Sequence, residues 1–332
     1  MIQAVFVIFL YALSAILLAW RYFRWYAIPR PPIGVFNLWD VMAMLCGILI
    51  IPYLYRWLPA WLVGGLLGLS ALGLSYFTFE PVIASRPVLW STVWILCVID
   101  VLSLYGFGAN GRAFFAVNNL AQVIVLVGIV NFWAQSGMQA RDCAILAGAL
   151  VVYDLLFTSA LPLMDDLFSQ LEGLPFAPLI AWSQPDGSWL SIGLGDLLLA
   201  AVFPLVMRKA YGLVAGGLGL MLAVAALVAV LVLPALGLLQ ATFPVMTVLG
   251  PLIVMQYLFW RRRSGIERTT YQYLQAEPRI TRVLPTNDRT ALPAQRGKAT
   301  DPVDGPKPGL SPVVLPTTRG PATANQQTTI RF

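Results

Sequence analysis

The sequence predicts an all-α, multi-spanning membrane protein with about nine transmembrane helices. Three observations predict it. Of its 332 residues, 59% are hydrophobic and only 11% are charged, where a soluble domain carries roughly 25% charged residues. Mean hydropathy is +0.77. Apolar runs long enough to cross about 30 Å of hydrocarbon as helices recur from residue 1 to residue 260.

Taken in order, the runs cover 2–20, 36–55, 60–79, 88–106, 113–133, 143–163, 188–207, 211–231 and 235–260. The first has no basic residue before it and Arg21 and Arg24 after it, the reverse of a cleavable signal peptide, so it is expected to be a retained anchor with its N-terminus outside. The loops agree. With that orientation the inner loops hold Arg21, Arg24, Arg30, Arg86, Arg141, Arg208 and Lys209, and the outer loops hold only Arg56 and Arg112. Arg261, Arg262 and Arg263 follow the last span on the same inner side. Basic residues concentrate on the cytoplasmic face, which predicts N-out and C-in. The absence of targeting signals predicts a prokaryotic cytoplasmic membrane.

Residues 1–263 are therefore expected to form the membrane domain and 264–332 a cytoplasmic, largely disordered tail. A short juxtamembrane helix is expected over 266–276, and Pro, Thr, Arg and Gln dominate from Glu277 onward. The loop at 164–187 is acidic, with Asp165, Asp166, Glu172 and Asp186, and is expected to lie outside. The net charge of +6 sits in short loops and the tail, which reads as membrane orientation and not as nucleic-acid binding. Membrane lipid is the expected surrounding partner.

The sequence contains no histidine, which excludes a histidine-based triad and histidine ligation of metal or haem. Cys46, Cys97 and Cys143 are dispersed among apolar spans and read as packing residues, without a disulfide framework or zinc site. No metal or cofactor is expected. Gly106 to Gly111 matches a dinucleotide-binding fingerprint, but it ends a membrane span and lacks the flanking strand and helix, so it reads as a turn. Gly64 with Gly68, and Gly212 with Gly216, have the spacing of helix-packing glycines.

Chemistry has to come from acids placed in the membrane, where an ionisable residue costs roughly 2.5–3.5 kcal/mol. The candidates are Asp40, Asp100, Asp154 and Asp196. Asp40 is expected at an interface or paired with a loop arginine. Asp100 is expected to make a structural hydrogen bond to Asn118 or Asn119, the alternative being a place in a cleft. Asp154 and Asp196 stand on successive spans running in opposite directions. At about 1.5 Å per residue both are expected about 12–14 Å below the outer boundary. Two carboxylates held together share one proton, so the charged one takes a proton from water while the neutral one donates to a carbonyl. Gly193 and Gly195 leave room for another backbone, such as an extended substrate strand.

Tyr153-Asp154 in the sixth span, Gly193-Leu194-Gly195-Asp196 in the seventh and Pro234-Ala235-Leu236 at the expected start of the ninth resemble the three motifs of the presenilin and signal peptide peptidase family of intramembrane aspartyl proteases. The resemblance covers residues 1–260 in span count, and in sequence these three motifs. It implies a catalytic pair in Asp154 and Asp196. It further implies that Tyr153, Gly193, Leu194, Gly195, Pro234, Ala235 and Leu236 shape the site or bind substrate, and that substrates are transmembrane helices or signal peptides. Gly237 follows the third motif where presenilin has proline, and the loop between the catalytic spans is short, which argues against self-cleavage there. The N-out orientation is that of signal peptide peptidase. The alternative functions are a prepilin-peptidase-like protease, although Leu197 and not lysine follows Asp196, and a proton-coupled transporter using the same carboxylates without hydrolysis.

Overall fold

A computed structural model describes residues 2–28, 36–159, 171, 173–184, 187–236, 245–269 and 272–273. Among them are nine helices: α1 (Ile2–Trp25), α2 (Leu38–Trp57), α3 (Ala60–Phe79), α4 (Arg86–Phe107), α5 (Arg112–Gln135), α6 (Ala140–Ser159), α7 (Leu194–Tyr211), α8 (Leu213–Ala235) and α9 (Val245–Ser264). Five are long and apolar enough to cross a membrane: α1, α3, α4, α5 and α8. α2 contributes a shorter apolar stretch, Leu38–Ile51. The remaining three carry charge: Asp154 is on α6, Asp196 on α7, and the Arg261, Arg262, Arg263 triplet ends α9.

The chain is not wholly helical. Leu179–Ser183 (β1) and Trp189–Gly193 (β2) form an antiparallel hairpin with Ile180 opposite Ile192 and Trp182 opposite Leu190. The seventh span therefore begins at Leu194, not at 188. Aromatic and aliphatic residues flank a turn that closes with the Gln184 amide donating to the Ser188 carbonyl at 2.7 Å and Gly187 at φ +84°. Glycine meets that left-handed conformation without strain. The other boundary correction is at the third motif. Pro234 and Ala235 close α8, Leu236 caps it, and the described part of α9 is Val245–Ser264, so the motif ends one helix and does not open the next. A proline in the last turn forfeits one amide bond and leaves the turn before it intact, so the apolar run from Leu213 stays helical through it. The acidic residues Asp165, Asp166, Glu172 and Asp186 lie outside the described residues, as do residues 274–332, where the tail was expected.

α5 and α7 are the interior helices: α7 is buried without a break from Leu199 to Ala210, and α5 buries its face of Asn118, Asn119 and Gln122, whereas α3 is largely exposed. Close crossings rest on glycine. A side chain at Gly128 would strike Thr78 of α3, one at Gly216 would strike Arg208 and Pro204 of α7, and one at Gly250 would strike Val151 and the Ala147 carbonyl of α6. Without glycine these backbones could not approach so closely. Of the expected packing pair Gly212 and Gly216, only the second packs; Gly212, at φ +100°, makes the break between α7 and α8. Gly108 and Gly111 likewise make the turn between α4 and α5, as the rejected dinucleotide fingerprint required. Cys46, Cys97 and Cys143 are free thiols.

Helix ends are tied by side chains. Asp40 caps α2, its carboxylate accepting from the Asn37 amide at 2.7 Å while the Asn37 side chain accepts from Trp39 at 2.8 Å. Among the described residues this cap is the partner found for Asp40. The Lys209 ammonium donates to the Ala134 and Met138 carbonyls at 2.9 and 2.6 Å, joining α7 to the end of α5. Beyond α9 the chain turns back. Glu267 accepts from the Ala140 and Arg141 amides at 3.0 and 3.2 Å, capping α6 from outside its own segment. Arg268 donates to the Arg208 carbonyl at 3.3 Å, and buried Tyr273 stacks on Phe23 of α1. Replacing Glu267 by alanine is expected to release the first turn of α6, at a cost of about 1 kcal/mol. The check is faster amide exchange at residues 140–142 with the rest of α6 unchanged.

Candidate active site

Asp154 and Asp196 come to one place by different routes. Asp154 lies late in α6, and its carboxylate is within electrostatic reach of the Met246 amide on α9. The first amides of a helix have no partner within it and carry the positive end of its dipole, so they favour a carboxylate there. Asp196 stands in the first turn of α7, two residues after Leu194. Its side chain folds back toward Gly193, whose missing Cβ would lie 3.7 Å from Asp196 Oδ2. Asp196 thus sits at the N-terminus of α7, and Asp154 lies near the first described residues of α9. Both are half-buried, and they lie within electrostatic reach of one another.

The level of Asp196 is set by the hairpin, not by eight residues of helical rise. β2 runs straight into α7, and the Leu194 amide donates to the Pro178 carbonyl at 3.0 Å. Tyr153 is buried beside Asp154, within reach of Tyr53 of α2. Leu194 is buried at the start of α7, while Gly195 is exposed with nothing near the place its side chain would occupy. Gly193 would accept a methyl at ordinary contact distance, so its glycine is not demanded by packing. Pro234 and Ala235 end α8 and Leu236 is 65% exposed. Residues 237–244, which connect these three to α9, lie outside the described residues.

Among the described residues the two strand edges differ: that of β1 is bonded by α5, and no strand pairs with that of β2. In an antiparallel pair, alternate residues turn their amide and carbonyl away from the partner. On β1 the outward positions meet α5. The Asn119 side chain pairs with Ala181 in both directions, Nδ2 donating to its carbonyl at 2.9 Å and Oδ1 accepting its amide at 3.0 Å. Asn118 donates to the Ala177 and Leu179 carbonyls at 3.3 Å each, and Gln122 donates to the Phe176 carbonyl at 2.9 Å. Asp100 accepts the Phe176 amide at 2.9 Å, so both backbone groups of Phe176 are held; it is the one non-glycine residue at positive φ (58°) among those described. Asp100 therefore does make a structural bond, but to this backbone and not to Asn118 or Asn119. On β2 no strand pairs with the outward edge of Trp189, Ser191 and Gly193 among the described residues.

The amides of α5 were legible as polar residues in an apolar helix, and Pro185-Asp186-Gly187 between two β-prone runs was a turn signal. Nothing in the sequence marks the Met246 amide as a neighbour of Asp154. No group of three or more metal-ligating side chains is present among the described residues. No protein-family profile matches the chain, and no curated protein is similar to it in sequence.

Proposed function

We propose that the chain is an intramembrane aspartyl endopeptidase that cuts transmembrane helices or signal peptides with Asp154 and Asp196. The observation that carries this reading is that two half-buried carboxylates lie within electrostatic reach of one another, Asp196 in the first turn of α7, beside a strand edge with which no strand pairs among the described residues. In this reading all nine helices span the bilayer, N-terminus outside and C-terminus cytoplasmic, as the distribution of basic residues favours. The three short motifs support it further.

Hydrolysis then needs no cofactor. The ionised member of the pair removes a proton from a water between them as the water oxygen bonds to the scissile carbon, and the protonated member donates to the carbonyl oxygen. The tetrahedral intermediate then collapses. The C–N bond breaks as the newly protonated carboxyl gives its proton to the departing nitrogen and the other takes back the proton from the hydroxyl, so the pair again holds one proton. A peptide bond inside a helix is shielded by its own hydrogen bonds, so the substrate has to be drawn out straight. The outward edge of β2 offers amides and carbonyls to such a segment, and Gly195 leaves space beside Asp196 for its backbone.

The test is incubation of the purified protein in detergent with a model signal peptide. Cleavage is expected, with a bell-shaped dependence on pH, because one carboxyl must be charged and the other protonated. A peptide left intact at every pH sinks the reading. Gly195→Leu gives a second check. The new side chain would project into open space, and a helix gains roughly 1 kcal/mol when glycine is replaced. Thermal stability is expected to hold or rise while cleavage falls by about a hundredfold, since small misplacements of substrate carry such costs.

A further inference from the structure

We infer that the amides of α5 are positioning residues that select which substrate bond is cut. This rests on the protease reading and goes beyond it. Asn118, Asn119 and Gln122 lie on one face of α5 and are 0%, 0% and 2% exposed. Asn119 imitates a neighbouring strand, giving and taking one hydrogen bond with Ala181. Gln122 and Asp100 clamp Phe176, whose ring also fills the hollow over Gly68 of α3, 3.4 Å from where a side chain there would begin. β1 and its approach are thus fixed to the interior of the bundle from Phe176 to Ala181.

That fixation carries through to the aspartate. β1 holds β2 in a single register, Leu179 opposite Gly193 through Ser183 opposite Trp189. β2 continues without a break into the turn that bears Asp196. The outward groups of Ser191 and Gly193 therefore stand at a set height from the carboxylates. An extended segment added to that edge can shift only in steps of two residues if it is to keep its hydrogen-bonding side. Each step would bring a different peptide bond to the pair. A hairpin free to move against α5 would blur the choice, whereas one pinned by five side-chain bonds to β1 and its approach would not.

The experiment is mass spectrometry of the products of one model signal peptide cut by wild type, Asn119→Leu and Asn131→Leu. Asn131 is equally buried on α5 but donates to the Ala19 carbonyl of α1 at 3.2 Å, away from the hairpin. It controls for general loss of stability. Asn119→Leu is expected to give additional cuts displaced by two residues and about tenfold lower turnover, the size of effect one lost buried hydrogen bond produces. Asn131→Leu is expected to keep the wild-type bond. Should Asn119→Leu fail to fold, Gln122→Met loosens the same strand from its other end and is expected to shift the cut in the same way. An unchanged cut position in the hairpin variants, or the same scatter in Asn131→Leu, overturns the positioning role and leaves the protease reading standing. A wild type that cuts nothing overturns both.

Discussion

Alanine in place of either Asp154 or Asp196 is expected to lower peptide cleavage by about 10⁴-fold or more, and alanine at both to lower it no further. The reason is the division of labour between the two acids. A lone carboxylate can activate water but cannot also protonate the scissile carbonyl, and a lone carboxylic acid can do the second without the first. With no histidine in the sequence, no other side chain can substitute at neutral pH. Asparagine is the more telling change, because it keeps size and hydrogen bonding. Asp154→Asn keeps a polar oxygen within reach of the Met246 amide, so the packing of α6 against α9 should remain in place. Thermal unfolding near that of the wild type together with absent cleavage would assign the loss to chemistry. Product appearing at more than a hundredth of the wild-type rate in either single variant would remove that residue from the pair. A double variant markedly worse than either single one would mean that the acids act separately.

The helices and the chemistry were legible at different depths. Apolar runs separated by basic or glycine-containing loops place all nine helices in order, because each run must be apolar enough to bury its length. The two aspartates were legible for the opposite reason, since acids inside apolar helices need an explanation. What the sequence hid is where extended backbone replaces helix. Trp189 to Ile192 is as apolar as a helix start, and hydropathy cannot tell the two apart. Only the pairing with Leu179 to Trp182 makes it a strand, and that pairing depends on amides of α5 some sixty residues away. Pro234-Ala235-Leu236 was misplaced for a related reason. Proline reads equally as a helix opening or as a helix close, and here the unbroken apolar run from Leu213 keeps it at the end of α8. The amide beside Asp154 has no sequence signature, because a backbone amide is contributed by any residue.

The position of Asp154 also depends on how closely α9 lies against α6, and Gly250 sets that distance. Its missing side chain would begin inside the Val151 side chain and 3.2 Å from the Ala147 carbonyl. Val151 stands three residues before Asp154, nearly one helical turn, and Gly250 four residues after Met246, whose amide lies within reach of the carboxylate. Replacing Gly250 with valine therefore has to separate the helices where they hold the acid. Overpacking of this kind costs about 1–3 kcal/mol, and part of it is met by α9 moving outward, which draws the Met246 amide from Asp154. The expected result is lowered thermal stability together with a loss of cleavage larger than the stability change accounts for. Gly217 supplies the comparison, because a side chain there meets nothing within 4 Å; Gly217→Val should leave both stability and cleavage close to wild type. Adding Val151→Ala to Gly250→Val removes the methyl groups that the new side chain strikes, and is expected to restore much of both properties. If it restores stability but not cleavage, the α6–α9 contact is a packing feature alone, and the orientation of Asp154 is governed from elsewhere.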